Sequence, residues 1–251
     1  MTLRHACRAV ADKATQTVLA KSDRLPTYYN GKILWPHRNT WTSTYSAYEP
    51  HIARELSRLL RPGSSFWDVG ANIGWLSLLA SSLVGTEGRV EAFEPAPDVF
   101  RALSLNVAHR ANVHAHNVGI GDADGIAEFS SQGMASSASF VEDVTKLNAV
   151  NLPNTDITRV SIPVMRLDTF LNQAEPPSLL KIDVEGYELH ALNGASKLLS
   201  LKPPALIEIH PVQLSLSGGS ESAIYDLLSG YGYSWRTLHR DKNTTYQILA
   251  T

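Results

Sequence analysis

The sequence predicts an α/β protein built around a doubly wound, mostly parallel sheet of seven strands that closes with a C-terminal antiparallel hairpin. From Phe66 onward, short apolar strands alternate with helical segments, and strands that are apolar on both faces are typical of a parallel sheet covered by helices. The last two strands, 234–238 and 245–249, are joined by only about six polar residues, which is too short for a parallel crossover. A length of 251 residues with 43% hydrophobic content suits one such domain with a modest extension.

Composition excludes several classes of function. Twenty-two Lys and Arg against 24 Asp and Glu give a net charge of −2, so no basic surface favours nucleic acid or an anionic membrane as a partner. The lone cysteine, Cys7, excludes an intrachain disulfide and a cysteine-based zinc cluster, and it favours a reducing compartment. No apolar run approaches the ~20 residues of a membrane helix, and polar residues interrupt the first 20 positions, where a secretory signal would be apolar. We therefore expect a cytoplasmic protein.

The chain divides into a cap segment at 1–62 and a larger domain at 63–251. Within the cap, apolar residues between Leu3 and Val18 recur at helical spacing, which predicts a short amphipathic helix. That helix suits self-association into a homodimer as well as burial against its own domain. A second helix is predicted over 49–60, because its apolar residues share one face and a Pro-Gly pair follows it.

Aromatic residues are concentrated in the cap. Six of them lie within 21 positions: Tyr28, Tyr29, Trp35, Trp41, Tyr45 and Tyr48. This density predicts either a cover for one end of the core or a lid that contacts a substrate, since rings offer contact area at little entropic cost.

Within the domain, strands and helices are predicted in alternation. The strands cover 66–69, 89–93, 113–120, 160–165, 179–184 and 205–209, and the helices cover 73–83, 97–109, 187–199 and 222–228, with a short helix from Asp168. Residues 130–158 are rich in Ser, Ala, Asn and Asp with weak periodicity, which predicts a long loop or substrate lid.

A glycine-containing turn follows the first strand of the domain. Its sequence, Asp68-Val-Gly70-Ala-Asn72-Ile-Gly74, lies where the strand passes into a helix, and its glycines allow a ligand to approach the backbone. Asp68 ends the strand and can accept hydrogen bonds from an ammonium group or from ordered water. Asn72 stands where a dinucleotide-binding turn carries its second glycine, which argues against NAD and FAD.

Two later strand ends supply further candidate cofactor ligands. Glu94, in Phe93-Glu94-Pro95, follows the second strand, where a carboxylate can accept both hydroxyls of a ribose. The alternative for Glu94 is a charge that interacts with the start of the next helix. Asn117 and Val118 end the third strand, where an adenine would lie, so the amide of Asn117 can meet its exocyclic amine. A plain turn residue is an equal alternative for Asn117.

Ionisable residues follow the next two strands, at the edge of a parallel sheet where ligands bind. Asp183 and Glu185 are two positions apart and so point the same way, and Glu208 and His210 repeat this spacing on the neighbouring strand. Carboxylates crowded beside an imidazole shift one another's pKa values, which is how an acid and a base arise. We predict these four residues as catalytic, with His210, oriented by Glu208, as the first candidate base and Asp183 as the second.

A metal ion remains an alternative at the same place. Oxygen ligands suit Mg²⁺ or Mn²⁺, so Asp183, Glu208 and His210 can hold one, although each of them also has a metal-free role. The remaining histidines have no carboxylate cluster at matching spacing and are interpreted as surface or core residues. They include His109, His114, His116 and His190.

At these motifs the sequence resembles the FkbM-type methyltransferases, a family of class I, Rossmann-like enzymes that depend on S-adenosylmethionine. The resemblance spans roughly residues 45–212. It is carried by Glu49-Pro50, Asp68-Val-Gly-Ala-Asn-Ile-Gly74, Phe93-Glu94-Pro95, Arg166-Leu167-Asp168, Lys181-Ile-Asp-Val-Glu-Gly186 and Ile207-Glu208-Ile209-His210. It implies S-adenosylmethionine as cofactor and methyl transfer to oxygen on a sugar, a polyketide or another secondary metabolite.

Together these observations predict an O-methyltransferase that acts on a small hydroxylated metabolite by in-line transfer, with base or metal assistance. Two alternatives stay open. An oxidoreductase that uses NAD or a nucleotide sugar is disfavoured by Asn72, and an inactive methyltransferase-like binding module is disfavoured by the intact acid cluster. Methylation of RNA or DNA is weakened by the net charge of −2 and by the absence of an Asn-Pro-Pro-Tyr-like segment.

Overall fold

The computed structural model describes residues 24, 27–37, 49–131, 139–141, 143–145, 157–240 and 245–251. Three predictions therefore lie wholly or largely outside the described residues. They are the helix at 1–20 with the homodimer it would serve, the environment of Trp41, Tyr45 and Tyr48, and most of the loop at 130–158. Of the other cap aromatics, the side chains of Tyr28 and Trp35 are exposed.

Twelve named strands and eight named helices make up the described part of the chain. The strands are β1 (Thr27–Tyr29), β2 (Lys32–Leu34), β3 (Ser65–Val69), β4 (Arg89–Phe93), β5 (Val113–His116), β6 (Gly119–Ile120), β7 (Gly125–Ser131), β8 (Thr158–Met165), β9 (Leu179–Ile182), β10 (Ala205–Ile209), β11 (Trp235–Arg240) and β12 (Tyr246–Ala250). The helices are α1 (Pro50–Leu59), α2 (Trp75–Val84), α3 (Pro97–Val107), α4 (Leu167–Phe170), α5 (Glu188–Asn193), α6 (Ser196–Ser200), α7 (Pro211–Leu216) and α8 (Glu221–Gly230). None of the described helices has the length and apolar character needed to cross a membrane.

Seven strands form the main sheet, in the order β11-β12-β10-β9-β3-β4-β5. The pairs from β10 to β5 are all parallel, whereas β12 pairs antiparallel with both β10 and β11. The predicted fold class and its closing hairpin are confirmed. The carboxyl ends of β3, β4, β9 and β10 consequently lie side by side along one edge.

Helices cover both faces of this sheet, as the apolar strands predict. Phe66 of β3 packs with residues of α1, α2 and α3 on one face, while its neighbour Trp67 packs with residues of α5, α6 and α8 on the other. Both side chains are fully buried. Trp67 also meets the ring of Phe170 edge-on at 5.0 Å, so the short helix α4 closes that face.

The predicted strand at 113–120 is two strands in different sheets. β5 ends at His116, and β6 joins a second sheet of three strands in the order β6-β8-β7. β7 was not predicted; it pairs antiparallel with β8 along seven positions. Its apolar residues do not follow the simple alternation of a half-buried strand: Ile126 faces solvent, while Phe129 is buried. Pairing with a distant strand, rather than a local pattern, stabilises β7.

The predicted helix at 187–199 is also divided, into α5 and α6. The backbone leaves helical geometry at Ala195, with φ −120° and ψ 23°, and the preceding Gly194 lies so close to Gly121 that a Cβ there would be 2.0 Å from its carbonyl oxygen. Asp168 caps α6, since its carboxylate accepts hydrogen bonds from the backbone N–H groups of Lys197 at 2.9 Å and Leu198 at 3.0 Å. α7 was not predicted.

Candidate active site

A cavity of about 420 Å³ opens along the carboxyl ends of β3, β4, β9 and β10. Its lining changes character along the sheet. Near β4, β5 and the second sheet it is mostly apolar, with Phe93, Pro95, Ala96, Val99, Val118, Ile120, Phe129 and Phe140. Near β9, β10 and the closing hairpin it is mostly ionisable or polar, with Glu49, His51, Asp183, Glu185, Glu208, His210, His239 and Gln247.

The glycine turn after β3 joins the two parts of the cavity. Gly70 and Asn72 both line it, with positive φ angles of 76° and 51°. A Cβ at Gly70 would lie 1.7 Å from the backbone oxygen of Asp183, so no other residue allows this approach between the ends of β3 and β9. Gly70 therefore lines the cavity and also makes space for the neighbouring strand end, a second role that the sequence did not indicate.

Two residues of the same motif lie behind the cavity wall. A Cβ at Gly74 would lie 2.4 Å from Cδ1 of Leu103, so this glycine permits α2 and α3 to pack closely. Asp68 is fully buried; it accepts a hydrogen bond from Ser77 Oγ at 2.5 Å and lies 3.3 Å from Lys181 Nζ. The expected direct cofactor contacts of Asp68 and Gly74 are therefore corrected to supporting roles, because protein atoms occupy their surroundings.

Glu94 presents a buried carboxylate to the cavity, as predicted. Its two oxygens accept hydrogen bonds from the backbone N–H groups of Asn72 and Ala96, both at 2.9 Å. Burial raises the pKa of Glu94 to about 7, although these two N–H groups oppose the shift. Each carboxylate oxygen can accept a further hydrogen bond, so the group suits two ribose hydroxyls.

Asn117 and Val118 have different positions. Val118 lines the apolar part of the cavity, as predicted. The side-chain amide of Asn117 donates to the backbone oxygens of Glu94 and Pro95, both at 2.9 Å, and it braces the chain after β4. These hydrogen bonds leave the amide oxygen, which the exocyclic amine of an adenine would need, but Asn117 does not line the cavity, so the geometry favours the turn role that was its alternative.

Lys181 is a buried cation that the sequence prediction left without a role. Its Nζ donates to the backbone oxygen of Gly70 at 2.9 Å and lies 3.3 Å from Asp68 and 3.4 Å from Asp183. Burial alone would lower the pKa of Lys181, but the charges of the two aspartates raise it above its ordinary value. The signal was present in the sequence as one lysine within an otherwise apolar strand, Leu179–Ile182.

His210 lies between four carboxylates and differs from its predicted role. Its Nδ1 lies 2.7 Å from Glu188 Oε1, and its Nε2 lies 3.8 Å from Asp183 and 3.7 Å from Glu185. Burial alone would lower the pKa of His210, but the hydrogen bond and charge of Glu188, followed by the charges of Glu185 and Asp183, raise it to about 10. A pKa in this range favours the imidazolium form at neutral pH, which is not a base. The geometry corrects the predicted partner, since Glu188, rather than Glu208, contacts the ring.

Glu208 faces the cavity from β10 but turns toward the neighbouring strand, where it accepts a hydrogen bond from Gln247 Nε2 at 3.1 Å. Burial, followed by the charges of Asp183 and Glu49, raises the pKa of Glu208 above its usual range. The spacing correctly predicts that Glu208 and His210 face the same cavity. It does not predict their partners, because His210 follows the end of β10 and its ring contacts Glu188.

The predicted metal ligands separate into two overlapping sets. Asp183, Glu185 and His210 have ligand atoms within 4.8 Å of one another, and so do Glu49, Asp183 and Glu208. The predicted combination of Asp183, Glu208 and His210 is not one of these sets.

Two other histidines have carboxylate partners that the sequence spacing did not reveal. His116 Nε2 lies 2.6 Å from Glu91, and His190 Nδ1 lies 2.8 Å from Asp122. Neither pair lines the cavity. His51 and His239, which do line it, stack with ring centroids 4.2 Å apart, and this contact joins α1 to the closing hairpin.

Comparison with known proteins identifies the family of this chain. The family model described as the methyltransferase FkbM domain matches residues 68–235. The hexuronic acid methyltransferase AglP of Haloferax volcanii is 29% identical over 166 residues, which cover 64% of this chain but only 62% of AglP. The 31-O-demethyl-FK506 methyltransferase FkbM of Streptomyces tacrolimicus is 28% identical over 200 residues, 70% of this chain and 74% of that protein.

A solved structure supports the same fold. Aeropyrum pernix fibrillarin, crystallised with natively bound S-adenosyl-L-methionine, has a TM-score of 0.51 and 17% identity, and the match covers 91% of this chain and 82% of fibrillarin. At this identity the likeness shows the fold alone. The family match extends from the glycine turn after β3 into the closing hairpin, well over half of the chain, and it sets the oxidoreductase alternative aside. This chain belongs to the FkbM family of methyltransferases.

Proposed function

We propose that this chain uses S-adenosylmethionine to methylate a hydroxyl group of a small metabolite, such as a sugar or a polyketide. The observation that carries the proposal is the division of one cavity into an apolar part with a buried carboxylate and an ionisable part around Asp183 and His210. The name of the FkbM relative places the missing methyl group on an oxygen, and the name of AglP specifies a sugar acid. Both names support a small hydroxylated acceptor.

The apolar part suits the cofactor. The Glu94 carboxylate would hold the ribose, Val99 and Val118 would contact the adenine, and the turn at Gly70 and Asn72 would lie beside the amino-acid portion. The volume of about 420 Å³ lies within the range that small-molecule sites have. When bound, S-adenosylmethionine supplies a methyl group activated by a cationic sulfur.

The ionisable part suits an acceptor hydroxyl. An alcohol needs a nearby base, because it is a poor nucleophile while it keeps its proton. Asp183 faces the cavity and takes this role in the proposal, in place of His210. The gap of 3.8 Å between Asp183 and His210 Nε2 is too wide for a direct hydrogen bond, but one oxygen atom beside it can contact both groups.

In the proposed methyl transfer one bond forms, one bond breaks and one proton moves. The acceptor oxygen forms a bond to the methyl carbon as the carbon–sulfur bond breaks, and the electron pair of that bond stays on sulfur. The hydroxyl proton passes to Asp183 and then to solvent. His210 donates from Nε2 to the oxygen as negative charge develops there, which stabilises the transition state.

A binding measurement and a transfer measurement test the proposal together. Calorimetry should show binding of S-adenosylhomocysteine and no comparable binding of NAD. Methyl-labelled S-adenosylmethionine should then give a labelled product with at least one member of a panel of hexuronic acids, neutral hexoses, hydroxylated macrolides and phenols. Tight binding of S-adenosylhomocysteine without any labelled product would favour the inactive binding module.

Removal of metal ions tests the metal alternative. We expect transfer activity to survive exhaustive chelation, because the His210 imidazolium already places a positive charge beside the acceptor oxygen. Activity should be measured after chelation, with and without added Mg²⁺ or Mn²⁺. Loss of activity that either ion restores would contradict the metal-free proposal and assign an ion to the ligand sets that share Asp183.

A further inference from the structure

Glu188 is a fully buried carboxylate that lies outside the cavity lining and contacts His210 at its Nδ1 edge. It begins α5, and its Oε1 accepts a hydrogen bond from the backbone N–H of Gly186 at 2.9 Å. An acidic side chain at the start of a helix commonly accepts such a hydrogen bond from a nearby backbone N–H group. A helix-start role does not account for the 2.7 Å contact with a histidine that lies 22 residues away.

The burial of Glu188 requires a compensating charge. A buried carboxylate is costly unless it is paired, and one of its oxygens, Oε2, is buried without a hydrogen-bond partner among the described residues. The ring of His210 is the basic group that the described chain brings to this carboxylate. The two side chains therefore stabilise each other as an ion pair, one from α5 and one from the end of β10.

The surroundings of His210 are not symmetrical. The charged and titratable groups that face it are Glu188 from α5, Asp183 and Glu185 from the segment after β9, and Glu208 from β10. Among the carboxylates of the described residues, Glu188 comes within hydrogen-bond distance of the ring, whereas Asp183 and Glu185 lie 3.8 Å and 3.7 Å from Nε2. The contact with Glu188 therefore fixes Nδ1–H on one side and leaves Nε2 aimed at the cavity.

We propose that Glu188 is a positioning residue for methyl transfer, which holds His210 so that Nε2–H donates to the acceptor oxygen beside Asp183. This inference rests on the proposed O-methyl transfer, since it assigns His210 the role of a donor in that reaction. Glu188 does not touch the acceptor; it acts by fixing the orientation and charge of the ring. The arrangement resembles the way in which a carboxylate orients the imidazole of other catalytic sites.

The substitution Glu188→Gln tests the inference, because glutamine keeps the shape and one acceptor oxygen but removes the charge. Without that charge, burial should lower the pKa of His210 from about 10 toward its ordinary 6.5, against the remaining charges of Glu185 and Asp183. At pH 8 the ring then becomes neutral and Nε2 can no longer donate while Nδ1 keeps its proton. We expect kcat at pH 8 to fall ~10²-fold and to recover in part at pH 6, where the ring is protonated again.

Two measurements separate positioning from a general structural defect. Affinity for S-adenosylhomocysteine should stay within about twofold, and the kcat–pH profile should move rather than merely decrease. Asp122→Asn is the matched control, since it removes the carboxylate of another histidine pair, His190 and Asp122, outside the cavity. The control should leave both kcat and the pH profile unchanged.

The titration of His210 gives a readout that does not depend on activity. In NMR spectra of histidine-labelled wild type, with the His210 signal assigned from a His210→Asn variant, the ring should stay protonated above pH 8. A wild-type ring that titrates near its ordinary value would overturn the inference, even if Glu188→Gln fails to fold. Unchanged kcat and pH profile in Glu188→Gln would also overturn it. A wild type that binds S-adenosylhomocysteine but methylates no acceptor would overturn the proposed function, while the titration would still decide the pairing.

Discussion

The two parts of the cavity are held in place by different kinds of contact. In the apolar part, Glu94 is fixed by backbone N–H groups of Asn72 and Ala96, which lie close to it in the glycine turn and at the end of β4. In the ionisable part, side chains hold one another across elements, as His210 is held by Glu188 and Asp183 by Lys181. The cofactor part therefore depends on backbone geometry, whereas the acceptor part depends on charge balance.

The two parts meet at the ends of β3 and β9. Lys181 donates to the backbone oxygen of Gly70 and pairs with both Asp68 and Asp183. Gly70 in turn lies against the backbone of Asp183. Substitutions at this junction should therefore disturb both parts, and substitutions away from it should disturb only one.

The largest effect is expected from Lys181→Met. The substitution leaves the carboxylates of Asp68 and Asp183 without their buried cation, and removal of one partner from a buried ion pair costs about 3–5 kcal/mol of the free energy of unfolding. Urea unfolding measures this loss. Lys202→Met is the control, because Lys202 is exposed and its ammonium donates to the backbone oxygen of Gly232 at 2.7 Å and lies 5.9 Å from the ring centroid of Tyr233. Equal losses in the two variants would contradict the buried charge network.

A smaller effect is expected from Gly70→Ala compared with Gly63→Ala. Both glycines have positive φ, 76° and 83°, so an alanine at either position is held in a similarly unfavourable backbone conformation. A Cβ at Gly63 has no atom within 4 Å, whereas a Cβ at Gly70 would overlap the backbone of Asp183. Gly70→Ala should therefore lower the free energy of unfolding by about 2 kcal/mol more than its control. Equal unfolding curves would show that the ends of β3 and β9 are not in close contact.

The mildest effect concerns the pH dependence of cofactor binding. Burial raises the pKa of Glu94 to about 7, so its carboxylate is mostly protonated at pH 6 and mostly ionised at pH 8. Ribose hydroxyls donate to the ionised form, so affinity for S-adenosylhomocysteine should rise about tenfold from pH 6 to pH 8. Calorimetry at several pH values measures this change.

Glu94→Gln provides the control for that titration. The variant should bind more weakly at pH 8 and show little change between pH 6 and pH 8, because glutamine does not titrate. A pH dependence that persists in the variant would assign the titration to another group and contradict the role of Glu94 in it.

The sequence predicted the elements whose pattern is local. Apolar strands such as Phe66–Val69, the helices that follow them and the short link of the closing hairpin are all encoded within a few residues. β7 and the break between α5 and α6 were missed, since the first depends on pairing with β8 and the second on the approach of Gly194 to Gly121. Local periodicity carries no information about either contact.

In the active site, too, local sequence patterns predicted some features, and tertiary contacts determined the rest. Gly70, Asn72 and Glu94 line the cavity as expected, because one turn and one strand end bring them there. The partner of His210 was assigned by strand alternation to Glu208, but the chain leaves the strand before His210 and meets Glu188 instead. Such pairings arise from tertiary contacts between elements that are distant in sequence.

The division of roles between the two parts is tested most directly by the steady-state kinetics of Glu94→Gln and Asp183→Asn with the same acceptor. We predict that Glu94→Gln raises KM for S-adenosylmethionine about tenfold and leaves kcat within about threefold. Asp183→Asn should leave that KM nearly unchanged and lower kcat at least ~10²-fold, because it removes the proposed base. The same pattern of change in both variants, or an Asp183→Asn variant with wild-type kcat, would contradict the account.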